Sequence, residues 1–186
     1  MDASPSQRVK RTIIDSAKIS NQKHNSNVVL LGWSTANNDG TFTGNFTSTD
    51  DGQKSANTLV AQGADIIFPV DGAAGLGSAA YCQQTGACLI IGADNDWFDS
   101  APEYQSVELT SVEKKVDVMV YDVIQTVQSD TFKGGTYIGT LANSGVGIAP
   151  FHDFENKIPS DLKAELGAIN NSLQMGSISV DYVLNH

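Results

Sequence analysis

The sequence predicts an α/β protein, a doubly wound and mostly parallel sheet with helices on both faces. Three observations carry this. From Val28 to Thr110, short apolar runs alternate with helical stretches at crossover length, the rhythm of successive βαβ units. The runs are apolar throughout, as for strands buried on both sides. The segments that follow them are rich in Gly, Asn and Asp. Such loops, at the carboxyl ends of parallel strands, form the usual ligand crevice.

Residues 1–27 read as a polar lead-in holding one helix, with Ile13, Ile14, Ala17 and Ile19 as a loose stripe. Val28 to Trp33 is the first strand, and Ser34 to Gly44 is a loop. Asp50 to Gln62 is a helix capped by Ser48 or Thr49, with Ala56, Leu59 and Val60 on its inner face and Gly63 ending it. Asp65 to Val70 is the next strand. The glycine-rich turn Asp71 to Gly77 leads into a helix that stops at Gly86. Ala87 to Ala93 is a strand, Asp94 to Glu103 an acidic aromatic loop, and Gln105 to Thr110 a strand. Val112 to Gln128 is the longest helix, with Val116, Met119, Val120, Val123, Ile124 and Val127 on one side. Beyond residue 130 the rhythm changes. Thr136 to Leu141 and Val146 to Ala149 are strands joined by a turn at Asn143 to Gly145. Ser160 to Asn170 is a helix, and Ile178 to Val183 is a last strand.

Composition excludes several functions. The chain has 186 residues with 11 Lys plus Arg against 21 Asp plus Glu, a net charge of −10. That acidity argues against a nucleic-acid or anionic-membrane partner, either of which needs clustered cations. No apolar run reaches the roughly 18–20 residues that span a bilayer. Arg8, Lys10 and Arg11 are followed by no apolar core, so no signal peptide is expected in the chain as written. Cys82 and Cys88 are too few for a disulfide scaffold or a four-ligand zinc site. They read either as one local disulfide, in a protein working outside the cell, or as two inert buried thiols.

Gly72, Gly75 and Gly77 lie between a strand and a helix, where backbone N–H groups can approach a ligand; glycines of a tight turn without a ligand are the other reading. Asp94, Asp96 and Asp99 crowd one loop, but it lacks the spacing of a calcium loop, and no metal or cofactor is expected. Asp94 directly follows a strand, where a carboxylate can accept two hydroxyl hydrogen bonds from one sugar. Lys114 and Lys115 open the long helix, a position the helix dipole disfavours for cations, so one of them has a partner or ligand or else both are solvated. No Gly-x-Ser-x-Gly elbow is present, and His24, His152 and His186 are scattered. His152, between two Phe-containing dipeptides, reads as a structural hydrogen-bonding residue.

The run Gln62 to Val70, followed by Gly72 and Gly75-Leu76-Gly77, resembles the basic membrane protein family, ABC-transporter substrate-binding lipoproteins similar to the purine nucleoside receptor. Ile91 to Asp96, Leu109 to Val112 with Lys114, Val116-Asp117-Val118, Lys133 to Thr136 and Gly145 to Phe154 extend the resemblance across about Val28 to Leu173. It implies a type-1 periplasmic-binding-protein fold that closes on a purine nucleoside, without catalysis. In that fold residues 1–130 would form the second lobe, lacking its first strand, and residues 131–186 would cross back to the first. Asp94 would hold the ribose hydroxyls, Lys114 would reach base or sugar, Gly72 and Gly75 would admit backbone to the ligand, and Phe46 would stack on the base. The family is extracytoplasmic, lipid-anchored and served by an ABC permease and ATPase. Asp71 departs from it where a small apolar residue is usual, and Trp97 where glutamine is common. Family chains are nearly twice this length, so the first lobe is unrepresented here. Strands without that lobe would pair in a swapped homodimer or remain disordered. The alternative from another class is a small α/β enzyme acting on a nucleoside or sugar through the same loops.

Overall fold

A computed structural model describes residues 5–178, Thr35 and Asn38 excepted. Helix α1 (Pro5–His24) is followed by a two-residue antiparallel pair, β1 (Trp33–Ser34) with β2 (Asp39–Gly40). Then come α2 (Thr49–Ala61), β3 (Ile66–Ile67), α3 (Gly75–Thr85), β4 (Leu89–Asp94), α4 (Trp97–Ser100), β5 (Glu108–Lys114), α5 (Val116–Gln128), β6 (Val146–Ile148) and α6 (Ser160–Gln174).

The main sheet has the order β3-β4-β5-β6. The first two pairings are parallel, with Ile67 beside Ile90 and Gly92 beside Ser111. The last is antiparallel, with Val112 beside Ile148 and Lys114 beside Val146. The expectation of a mostly parallel sheet therefore holds, with three parallel strands and an antiparallel β6.

Helix α2 begins where Ser48 accepts the Asp51 N–H, and α3 ends where Gly86 takes the left-handed conformation at φ +63°. The two helices approach backbone to backbone. A Cβ on Gly77 would lie 1.8 Å from the Thr49 carbonyl oxygen, and one on Gly52 would lie 1.9 Å from that of Ala74. The Ser78 hydroxyl donates to the Gly52 carbonyl across this crossing at 3.0 Å. Beneath lies the core of Ile67, Ala79, Cys82, Cys88, Ile90, Trp97, Ala101 and Val107.

Several elements differ from the sequence reading. Val28 to Leu31 joins no strand, and Val28 and Val29 are exposed. The described residues cover the two faces of the sheet unequally. Strands that neighbour in chain order place their right-handed crossovers on one face. On the opposite face Ile66 is 44% and Val112 42% exposed. Strand β5 runs on to Lys114 and displaces the helix start, because Val112 and Glu113 pair with both β4 and β6 and Lys114 pairs with β6, and sheet pairing overrides local helix propensity. Thr136 to Leu141 is a turn-bearing coil. The Asn143 side chain accepts the Thr140 and Gly145 N–H groups, a local alternative to a ladder. Farther along the chain β6 pairs with β5, and Phe154 beyond it is buried. Apart from Ile178, the predicted strand from Ile178 to Val183 lies outside the described residues. Helix α5 contains no buried residue, and Val116, Val120, Ile124 and Val127 are exposed.

Cys82 and Cys88 are bonded, with Cα atoms 4.9 Å apart, tying the last turn of α3 to the start of β4 inside the core. Closing so short a loop stabilises the chain by about 2 kcal/mol through the unfolded state. Cys82→Ala/Cys88→Ala is expected to lower Tm by about 4–8 °C in calorimetry, and mass spectrometry of air-exposed protein is expected to find no free thiol. Two free thiols, or an unchanged Tm, would contradict this.

Candidate functional site

The carboxyl end of β4 faces the amino end of α3, and between them lies a concavity of about 260 Å³. Gly72, Ala73 and Leu76 form one wall; Ala93, Asp94, Asn95 and Trp97 form the other. The first wall is a 3-10 turn over Gly72–Ala74 that runs directly into α3, with Gly72 in the left-handed region at φ +61°. Ala74 N–H donates to the Phe46 carbonyl at 3.3 Å, so the segment before α2 rests on this turn.

Asp94 ends β4 with φ +75°. For a residue with a Cβ this conformation is costly and persists where surrounding structure imposes it, frequently at ligand sites. Its Oδ1 lies 2.5 Å from the Lys114 Nζ, the side chains being 52% and 70% exposed. Register explains the pair: Asp94 is beside Glu113 on the parallel neighbour, and Lys114 is the next residue. Lys114 thus ends a strand, which corrects its assignment to a helix start. Lys115 holds the N-cap position of α5 and pairs with Glu113 at 3.2 Å.

Of the residues singled out in the sequence, Gly72 and Asp94 line one concavity and Lys114 bonds to Asp94. Phe46 lies against Gly72 and is 71% exposed. Gly75 is set apart from them. It is buried, and a Cβ there would meet the Asp71 carboxylate, the Trp97 ring and Pro69. Its smallness serves packing beneath the turn.

The loop after Asp94 is tightly held. Asp96 Oδ1 caps α4 by accepting the Phe98 N–H. The Trp97 indole N–H donates to the Ala93 carbonyl, and its backbone N–H donates to the Ser111 hydroxyl. Ser111 in turn donates to Glu108 Oε1 at 2.6 Å. Composition does not reveal Trp97 or Ser111 as site residues. The available signal was Gly92, where a Cβ would collide with both. Among the described residues, no group of three His, Cys, Asp or Glu side chains is gathered to hold a metal ion.

Two carboxyls near this loop are raised above the ordinary range by burial. Asp71 is half-buried, and its Oδ1 has no hydrogen-bond partner. Glu108 is 3% exposed with Oε2 unpartnered; the nearby Asp96 charge adds to its shift, while the Ser111 hydroxyl opposes it. A raised folded-state value means that each acid favours the fold when protonated. That contribution is complete below the unfolded-state value and is lost as pH rises through the folded one. Glu108→Gln removes the titration while keeping an acceptor for Ser111. Relative to wild type, the urea midpoint of this variant is expected to rise progressively as pH is raised from about 4 to 8. A difference independent of pH would show that Glu108 folds in its charged form at no cost.

The family described as Bmp, ABC transporter substrate-binding protein PnrA-like, matches residues 39–181. The CD4+ T-cell-stimulating antigen of Listeria monocytogenes is 28% identical over 152 residues, covering 75% of this chain and 42% of that protein. An uncharacterised lipoprotein of Pyrococcus abyssi is 34% identical over 113 residues, covering 57% of this chain and 27% of that one. The chain thus spans less than half the length of the curated relatives it matches. In fold it is similar to an ABC transporter solute-binding protein of Aeropyrum pernix, with a TM-score of 0.76 at 21% identity over 96% of this chain and 55% of that one.

Proposed function

The chain belongs to the Bmp family of PnrA-like ABC transporter substrate-binding proteins, and from that premise we propose that it binds a ribonucleoside, most naturally a purine one, in the concavity beside Asp94. The observation that carries this is Asp94 itself. A carboxylate held at φ +75° on a strand end, oriented by Lys114, can accept hydrogen bonds from two vicinal hydroxyls. Lys114 donates to whatever acceptor the solute brings beside that sugar. The Gly72 turn lets the ligand approach the backbone, and the exposed Phe46 ring offers a stacking face for the base.

In the whole protein, part of the segment 131–186 leads on to the other lobe of a type-1 periplasmic-binding-protein fold while β6 and His152 stay with this sheet, and that lobe closes the opposite side of the cleft. The complete molecule delivers its solute to an ABC permease and ATPase from outside the cytoplasm. The chain alone offers one side of that interlobe cleft, so burial and stacking are roughly halved and the dissociation constant is about millimolar.

Ligand-observed NMR with inosine, uridine and free ribose tests this. Saturation transfer to inosine, with the nucleoside intact after prolonged incubation, is the expected result. Transfer to none of the three overturns the reading. Release of hypoxanthine would replace a binder with an enzyme.

A further inference from the structure

We propose that His152 is a positioning residue that fixes the Asp94 loop from behind and couples it to the segment carrying β6. The inference about ligand affinity rests on the nucleoside-binding reading; the inference about the loop does not.

His152 is 56 residues beyond Asp96 in sequence, and the antiparallel pairing of β6 with β5 brings it back to the carboxyl end of β4. Thr110 Oγ–H donates to the Ala149 carbonyl, and Ala149 N–H donates to the Ser111 carbonyl, so the chain is anchored just before the histidine. Just after it, Phe154 is buried and its N–H donates to the Phe151 carbonyl at 2.7 Å. Between these anchors His152 holds a left-handed backbone at φ +41°, a conformation that a residue with a Cβ keeps only under constraint from its surroundings.

The ring uses that constraint twice. Its Nε2 lies 2.8 Å from Asp96 Oδ2, with both side chains largely buried. A carboxylate only accepts, so the Nε2–H donates. The ring also stacks on Phe98, with centroids 4.0 Å apart and planes 10° apart. The Asp96 carboxylate is therefore divided, one oxygen to the helix cap at Phe98 N–H and the other to His152. Only Asn95 separates this clamped residue from Asp94, whose other side is fixed by the β4-β5 ladder. The loop has no freedom to relax its backbone at Asp94 while both clamps hold. Movement of the β6 segment changes one of those clamps, so the loop and the segment shift together.

The test uses the 186-residue chain with His152→Ala, His152→Gln and Asp96→Asn. Amide hydrogen exchange without ligand reads the loop, and titration with inosine reads the site. His152→Ala is expected to speed exchange at residues 95–100 by about tenfold, the scale of one lost charge-assisted hydrogen bond, while amides of α2 and α3 keep wild-type rates. Inosine affinity is expected to fall by a similar factor. Glutamine, whose amide can donate to Asp96, is expected to restore most of both effects. Unchanged exchange at 95–100 in His152→Ala, or equal acceleration across α2 and α3, overturns the proposal. If wild type binds no nucleoside, the binding reading fails by itself and the exchange arm still decides the role of His152.

Discussion

Gly77→Ala is expected to lower Tm by about 4–8 °C and to lose the ligand site with it. The added methyl would lie 1.8 Å from the Thr49 carbonyl oxygen and 2.6 Å from its carbon. Both belong to backbone that cannot rotate away, so α2 and α3 must separate. Overpacking of this kind costs about 1–3 kcal/mol and sometimes more. The gain of about 1 kcal/mol in helix propensity from Gly to Ala does not offset it. Separation also moves Leu76 and the Gly72–Ala74 turn, one wall of the concavity. Gly52→Ala is expected to act the same way from the other helix, against the Ala74 carbonyl. Gly167 provides the contrast. It lies in α6 with nothing within 4 Å of its missing Cβ. Gly167→Ala is therefore expected to raise stability by about 0.5–1 kcal/mol. Urea titration of the variants decides the matter, and a Gly77→Ala midpoint equal to wild type would show that the helix crossing is loose.

Local sequence signals located the elements that bear this site. Ser48 before α2, Gly86 after α3 and the glycine turn before α3 each act within a few residues of their own position, so each was legible without the fold. Asp94 was legible for the same reason, as the first carboxylate after an apolar run. Long-range pairing was not legible. The β5-β6 ladder extends β5 to Lys114, and no local pattern distinguishes that from an early helix start. Val28 to Leu31 has the composition of a strand, yet strand formation requires a neighbour with free backbone groups, and none lies beside it among the described residues. How evenly the two faces of the sheet are covered depends on strand order, which apolar runs do not encode. Gly75 is a ligand-side glycine by the family resemblance, and only the fold shows that a Cβ there would meet Asp71, Pro69 and Trp97. His152 was visible as a residue that would make a structural hydrogen bond, and only the fold supplies Asp96 as its partner.

Asp94→Gly is expected to abolish nucleoside binding while leaving stability within about 1 kcal/mol of wild type. Glycine relieves the left-handed backbone at this position, and the lost ion pair with Lys114 is largely solvated. Two effects on stability are therefore small and opposed. The effect on binding is not. A carboxylate that accepts from two hydroxyls contributes about 1.5–3 kcal/mol per hydrogen bond, so losing both weakens binding more than about a hundredfold. From a starting constant of about millimolar order, that is complete loss. A folded, stable variant without binding separates a ligand anchor from a structural residue.

The most direct measurement is a paired titration of wild type and Asp94→Gly with inosine and 2′,3′-dideoxyinosine, followed by ligand-observed NMR. Wild type is predicted to bind inosine at least tenfold more tightly than the dideoxy compound, and Asp94→Gly to show no preference between them. Equal binding of the two nucleosides by wild type would contradict the account, because the ribose hydroxyls would then have no anchor at Asp94.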